Sequence, residues 1–264
     1  MDKLLLGRFV PGDSVLHRLD PRSKLLSLFL FLLIVFWANN PPTMLLLLSF
    51  VCVLVSVSGI RLYFFWTGLQ SMLGIMAFTT LFQVFFTPGE EVLWQVWVLK
   101  VTLEGLQHAL VILVRFVLIL LFSTLLTLTT TPLSLADGIE VGLSPLRRLH
   151  VPVHEIGLML SMSLRFVPTL MEDTTRIMNA QRARGVDFNE GNVVQKVRSV
   201  IPLLIPLFAS SFKRADALAT AMEARGYQGG EGRTKYRVLR WSMKDSVALA
   251  VMLLVSLALY LLKN

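Results

Sequence analysis

Long apolar runs alternate with short polar stretches along most of this 264-residue chain. Five of these runs carry few charges and approach the length that a helix needs to cross a bilayer of about 30 Å. They cover approximately residues 24–38, 43–60, 67–86, 106–130 and 246–262, and the first two are short for this purpose. The pattern predicts an all-α, polytopic membrane protein with about five transmembrane helices.

The breaks between the runs contain residues that end helices. Asn39-Asn40-Pro41-Pro42 separates the first two runs. Because proline has no amide and restricts the residue before it, these two runs are expected to form a tight helical hairpin. Thr87-Pro88-Gly89-Glu90-Glu91 makes the next break, and residues 87–105 are expected to be a loop.

Composition supports the membrane assignment. The chain is 55% hydrophobic and only 16% charged, with a mean hydropathy of +0.67, whereas about a quarter of an average soluble domain is charged. Its one cysteine, Cys52, lies inside an apolar run. A disulfide or a cysteine metal cluster therefore cannot form within one copy of the chain.

The basic residues predict the orientation. Most of the 25 Lys and Arg residues lie before the first run, directly after the second, or between residues 132 and 244. By the positive-inside rule these segments are cytoplasmic, so the N-terminus is expected inside the cell and, after five crossings, the C-terminus outside. The net charge of +8 then suits the inner leaflet of the cell membrane and acidic protein surfaces, and needs no nucleic acid partner.

The polar insertion divides the chain into three parts. Residues 1–131 are expected to form the N-terminal membrane region, residues 132–243 a cytoplasmic domain, and residues 244–264 the final transmembrane helix. The amphipathic pattern predicts a short helix and two long ones in the insertion. These cover residues 133–149, 152–184 and about 192–225, with Pro202 and Pro206 expected to bend the last one.

Both long helices end in the same pattern, Ala-x-x-Ala-Arg-Gly, at residues 180–185 and again 41 positions later at 221–226. Four matching positions would agree by chance on the order of once in 10⁵ placements. A single copy is explained by an arginine that favours a helix C-terminus and a glycine that ends the helix, an effect of at most about 1 kcal/mol. Two copies favour paired docking tips, where small alanines leave a guanidinium free for bidentate contact with a partner carboxylate.

These motifs resemble those of a known family, the transmembrane T components of energy-coupling factor (ECF) ABC transporters, whose hallmark is two Ala-Arg-Gly triplets. The stretches 142–146 (Gly-Leu-Ser-Pro-Leu), 164–168 (Leu-Arg-Phe-Val-Pro) and 223–227 (Glu-Ala-Arg-Gly-Tyr) add to the resemblance, which covers nearly the whole chain. It implies two crossed cytoplasmic coupling helices, each with its tip in a groove of one of two ABC ATPase subunits. It also implies a separate substrate-binding S component in the membrane, for a vitamin or another micronutrient. The implied ATPase-binding residues are Ala183, Arg184, Gly185, Ala224, Arg225 and Gly226.

The residues themselves disfavour two other classes of function. The chain lacks a phosphate-binding Gly-x-x-x-x-Gly-Lys-Ser/Thr loop, so we expect no ATP hydrolysis of its own. The five runs contain no Asp or Glu, which weighs against a self-sufficient secondary carrier with carboxylate relays. A polytopic lipid-modifying enzyme is the other alternative, but no carboxylate pair, metal cluster or nucleophile arrangement has the required spacing. We therefore expect a non-catalytic transporter subunit without a cofactor.

Two further positions leave alternatives open. Arg115 is the one formal charge well inside a run, and it either contacts the S component or a packed intramembrane partner, or extends beside Glu104 and His108 towards water. His150 and His154 are four residues apart, but Pro152 lies between them and no third ligand has suitable spacing. We expect no metal site there.

Overall fold

The computed structural model of the chain describes residues 9–89, 91–96, 99–149, 151–186, 188, 192–229 and 238–263. Nearly all of this part is helical, which confirms the all-α class. The helices are α1 (Pro21–Val35), α2 (Pro41–Ser58), α3 (Leu62–Gln70), α4 (Leu73–Phe86), α5 (Leu103–Thr129), α6 (Pro132–Gly142), α7 (Val153–Ala183), α8 (Val193–Ala224) and α9 (Met243–Lys263). A short 3₁₀ helix, Ser144–Leu149, follows α6.

Within the described residues, three helices are long and apolar enough to cross a membrane: α2, α5 and α9. The helices α3 and α4 bend by 60° at the break between them and add a fourth span if they are counted as one. The first predicted span corresponds to α1, whose 15 residues give a length of only about 22 Å. Length and composition thus support three or four of the about five predicted spans, and the span at α1 stays a prediction.

The segment 87–105 is not a simple loop, contrary to the sequence-based expectation. It contains an antiparallel hairpin of β1 (Val92–Val96) and β2 (Leu99–Thr102), with Val92 opposite Thr102. Its β-branched and aromatic residues suit strand pairing. Thr102 then caps α5, because its hydroxyl oxygen accepts a hydrogen bond of 3.0 Å from the amide of Gly105.

The described residues fall into two compact units. The membrane unit lies within Gly7–Gly138 and Leu239–Asn264, and the helix-pair unit within Ile139–Val238. In the membrane unit α1 and α2 both pack against α5 and α9. Phe31 and Phe122 stack with their ring centroids 4.2 Å apart, and Leu47 and Leu118 are fully buried beside them.

A buried polar network joins three helix ends of the membrane unit: the start of α1, the end of α5 and the start of α9. The ammonium of Lys24 donates to the carbonyl of Thr129 and the hydroxyl of Thr130, both at 3.0 Å. The carboxylate of Asp245 accepts from the amide of Asp20 at 2.7 Å and from the hydroxyl of Ser23 at 2.8 Å. Because these groups are buried, each bond compensates for water lost on folding.

Candidate functional site

The first of the two predicted tips ends α7 in a hydrogen-bonded turn. Arg184 is the last residue with near-helical backbone, and Gly185 follows with φ of +88°, a left-handed conformation that glycine adopts without a steric cost. The amide of Gly185 donates to the carbonyl of Arg182 at 2.9 Å, and that of Val186 donates to the carbonyl of Gln181 at 3.0 Å. This pair of bonds is the Schellman arrangement, which satisfies carbonyls left over at the helix end.

The second tip repeats this geometry at the end of α8. Gly226 has φ of +72°, and its amide donates to the carbonyl of Glu223 at 2.9 Å. The amide of Tyr227 donates to the carbonyl of Met222 at 3.0 Å. Arg184 has φ and ψ of −88° and 5°, and Arg225 has −90° and 8°. The sequence repeat therefore gives two helix ends with the same backbone.

The tip side chains are free for a partner. All six residues of the two triplets are exposed: Ala183, Arg184, Gly185, Ala224, Arg225 and Gly226. Within the part of the chain that the structure describes, neither the Arg184 nor the Arg225 guanidinium forms a hydrogen bond or an ion pair. Each can therefore offer its full fork of N–H donors to a carboxylate.

An ion pair braces the two long helices against each other. The guanidinium of Arg214 in α8 donates to the carboxylate of Asp173 in α7. The two residues are 41 positions apart, the same offset that separates the two tips, so they occupy equivalent places in the repeat. Each lies 11 residues, or about 16 Å along a helix, before its own tip arginine. The contact thus lies at the same distance along each helix from the tip of that helix.

A second contact explains how α8 accommodates its prolines and shows the direction of the pair. Pro206 has no amide, so the carbonyl of Pro202 lacks its usual partner within the helix. The side-chain Nε2 of Gln181 donates to that carbonyl at 3.3 Å. Along α7 the contact residues run from Asp173 forward to Gln181, whereas their partners in α8 run from Arg214 back to Pro202. The two helices are therefore antiparallel.

Gln181, Asp173 and Arg214 were not among the site residues predicted from the sequence. The 41-residue offset could have indicated Asp173 and Arg214 as equivalent positions with opposite charges. No comparable signal singles out Gln181, because its counterpart in the repeat is Met222.

One stretch of α8 presents large apolar side chains outside the contact with α7. Phe212 is 70% exposed and Ile205 is 65% exposed. This set is called the α8 apolar face below, and it comprises Val200, Ile201, Leu204, Ile205, Phe208 and Phe212. A contiguous apolar area of this kind on an otherwise charged helix indicates contact with a membrane or with another protein.

Arg115 contacts the turn between α1 and α2. Its Nη2 donates to the carbonyl of Ala38 at 3.2 Å and to Oδ1 of Asn39 at 3.0 Å. The guanidinium also lies 5.2 Å from the centre of the Phe36 ring. The side chain is thus directed to the turn between α1 and α2, and a contact of Arg115 with the S component or with an intramembrane partner stays a prediction.

The second histidine of the sequence pair lies in an ion-pair geometry. Nδ1 of His154 is 3.5 Å from Oε1 of Glu140, and Gly157 lies so close to the Glu140 carboxylate that a Cβ would collide with it. His150 is outside the described residues. Among the residues that are described, no group of three or more His, Cys, Asp or Glu could hold a metal ion.

Comparisons with known proteins agree with these observations. The family model described as CbiQ, cobalt transport protein, matches residues 12–236. The chain is 64% identical over its full length to 98% of the energy-coupling factor transporter transmembrane protein EcfT of Streptococcus equi subsp. equi. It is 60% identical to the protein of that name from Streptococcus thermophilus, with both chains covered completely. For the Bacillus subtilis protein the identity is 49%, over 100% of this chain and 99% of the relative. With matches of this length and identity, the chain belongs to the family of energy-coupling factor transporter transmembrane proteins.

Proposed function

We propose that this chain is the coupling subunit of an ECF-type ABC importer for a vitamin or another micronutrient. In this role it transmits the ATP-driven motion of two ABC ATPase subunits to a substrate-binding S component, and it catalyses no reaction itself. The observation that carries the proposal is the pair of tips, which have one backbone geometry and two exposed, unpaired arginines. Two equivalent tips suit two equivalent partners.

The contact with the ATPases is electrostatic and geometric. A guanidinium at the end of a narrow helix can enter a groove and form a bidentate bond with a carboxylate there. Ala183 and Ala224 add no bulk beside the arginines, and the left-handed glycines turn the chain away from the helix axis. Arg184 binds one ATPase and Arg225 the other, with the flanking alanine and glycine of each triplet completing the contact.

The braced helix pair turns ATPase closure into movement at the membrane. When two ATPases approach each other on binding ATP, their grooves move relative to one another and displace the two tips. The contacts Asp173 to Arg214 and Gln181 to Pro202 hold the helices together, so the displacement moves the pair as a body. The α8 apolar face is the surface that meets the S component or the membrane. The mechanism requires this surface to favour different S-component orientations in the two ATPase states.

The proposed orientation places the N-terminus in the cytoplasm and the C-terminus outside the cell. In the membrane unit the start of α1, the end of α5 and the start of α9 meet in one polar network, so these three ends share one side of the bundle. Lys24 and Lys244 lie at these ends, which by the positive-inside rule assigns that side to the cytoplasm. For the chain to cross the membrane five times, α1 must span it together with the residues of the turn that follows this helix.

Capture of partners from the native membrane tests the proposal. Tagged wild type and an Arg184→Ala/Arg225→Ala variant are purified in mild detergent, and the recovered proteins are identified by mass spectrometry. Truncating one member of a buried charge pair costs about 2 kcal/mol or more, so each substitution should weaken ATPase binding by at least about 30-fold. The variant should therefore lose both ATPases while it still inserts into the membrane.

The matched control is Arg176→Ala/Arg198→Ala. It removes two exposed arginines from the same helices away from the tips, so it should retain both ATPases and support normal uptake. Equal ATPase recovery and uptake for tip variant and wild type would contradict the docking role. Substrate transport by the purified chain alone would instead support a self-sufficient carrier.

A further inference from the structure

A cavity in the membrane unit lies beside the polar network, and the proposed function does not use it. Its volume is about 230 Å³, larger than the roughly 150 Å³ of an apolar cavity that accepts benzene. It is lined by α1, α2, α5 and α9, together with residues of the segment before α1. Most of the lining is aliphatic or aromatic, for example Leu54, Phe122 and Val251. The polar lining residues are Lys24, Ser27, Thr129 and Lys244.

The cavity continues as a groove of about 400 Å³ between α2 and α9. Phe50 and Val251 line both spaces, and the groove extends to Ala258. Lys244 and Ala258 are 14 positions apart in α9, about 21 Å along the helix. One leaflet contributes about half of the 30 Å hydrocarbon thickness. The crevice is thus long enough to hold an acyl chain through the depth of one leaflet.

The charged groups at one end of this crevice have a net positive charge. They are the cations Lys24, Lys244 and Arg22 and the carboxylates Asp20 and Asp245. Two hydrogen bonds, to Thr129 and Thr130, fix the buried Lys24 ammonium, and its third N–H has no partner among the described residues. Lys244 is exposed, and in the described part of the chain it has no ion pair. The nearby Asp245 carboxylate already accepts four hydrogen bonds, from Asp20, Ser23 and twice from Ser242.

We infer that this crevice is a binding site for one anionic glycerophospholipid. Its phosphate binds at Lys24 and Lys244, and one acyl chain fills the cavity and the groove between α2 and α9. A lipid is the occupant that fits an apolar channel with cations at one end only, because its own charge is confined to the headgroup. A water-soluble substrate would find few hydrogen-bonding groups along the channel. The bound chain would also fill the space between α9 and the rest of the bundle.

Lipid retention by the full-length chain tests this inference. The protein is purified in detergent and exposed to dioleoyl phosphatidylglycerol or dioleoyl phosphatidylcholine, and bound lipid is counted by native mass spectrometry. One retained phosphatidylglycerol per chain and clearly less phosphatidylcholine are expected. Lys244→Gln should weaken phosphatidylglycerol binding about fivefold, the effect of one cation at an anionic headgroup. Ala248→Leu, which adds bulk to the cavity lining, should abolish retention.

Two control variants separate this site from general surface effects. Arg240→Gln removes an exposed cation that does not line the cavity, and Ala250→Leu adds the same bulk to an exposed position two residues from Ala248. Both should retain the lipid as wild type does. Equal retention of the two lipids by wild type, or equal losses in Arg240→Gln and Lys244→Gln, would overturn the inference.

A second readout on wild type does not depend on how the variants fold. Phosphatidylglycerol with a photoreactive acyl chain should cross-link to peptides from α2 and α9 that include Leu54 and Val251. Cross-links spread evenly over the outer surface of the bundle would identify bulk lipid instead. If the crevice were instead found to hold a helix of a partner protein, the occupant would be a protein and not a lipid.

Discussion

The ion pair between Asp173 and Arg214 should determine how rigidly α7 and α8 are held together. The Arg214 side chain is 35% exposed and the Asp173 side chain 15%, so the pair is intermediate between surface and interior. Exposed ion pairs contribute about 0.2–1 kcal/mol, and hydrogen bonds to charged groups about 1.5–3 kcal/mol. For this half-buried pair we expect about 1–2 kcal/mol. Reversing one charge adds like-charge repulsion, so Asp173→Arg alone and Arg214→Asp alone should each cost about 2 kcal/mol.

Hydrogen exchange measured by mass spectrometry reports this loss locally and does not require reversible unfolding of the whole membrane protein. Peptides from the middle of α7 and α8 should exchange at least about tenfold faster in each single variant. The double variant Asp173→Arg/Arg214→Asp restores opposite charges and should return to within about threefold of wild type. Peptides from α5 serve as the internal reference. Unchanged exchange in the single variants, or additive losses in the double variant, would refute the bracing role.

Three further substitutions test the other contacts. Gln181→Met introduces the residue that the second tip has at the equivalent position, Met222, and leaves the Pro202 carbonyl without its donor. The lost hydrogen bond is worth about 1 kcal/mol, so amides around Pro202 should exchange about fivefold faster. Gly185→Ala meets no neighbouring atom but forces a side chain into a left-handed backbone, which should speed exchange in the last turn of α7 by about fivefold or more. Arg115→Met leaves the Ala38 carbonyl unpaired and should lower the unfolding temperature in detergent by about 2–8 °C, as measured by thermal denaturation.

The elements that the sequence identified are those with a strong local pattern. The apolar runs at 43–60, 106–130 and 246–262 became α2, α5 and α9, because a run of that length has few other solutions in a bilayer. The ends of α7 and α8 at Arg184 and Arg225 were also predictable, since alanine, arginine and glycine determine a helix end through the few residues around it.

Contacts between distant parts of the chain were not predictable in the same way. Lys24 and Asp245 are more than 200 residues apart in sequence, and only packing reveals that they belong to one polar network. The strands of the hairpin before α5 are short, and their mostly apolar residues do not alternate regularly with polar ones, so the periodic pattern is weak. For α1 the apolar run continues into Phe36 and Trp37, so hydropathy alone overestimates the helix that ends at Val35.

The opposite charges at the equivalent positions Asp173 and Arg214 also affect self-association. If two copies of the chain associated so that α7 met α7 at the same place, one Asp173 would face the other. Pairing of α8 with α8 would bring two Arg214 guanidiniums together. Both arrangements bring like charges together and are repulsive, whereas pairing of α7 with α8 brings opposite charges together. The opposite charges thus disfavour association of like helices from two copies, and they select α7 with α8 as the pair that meets at this position.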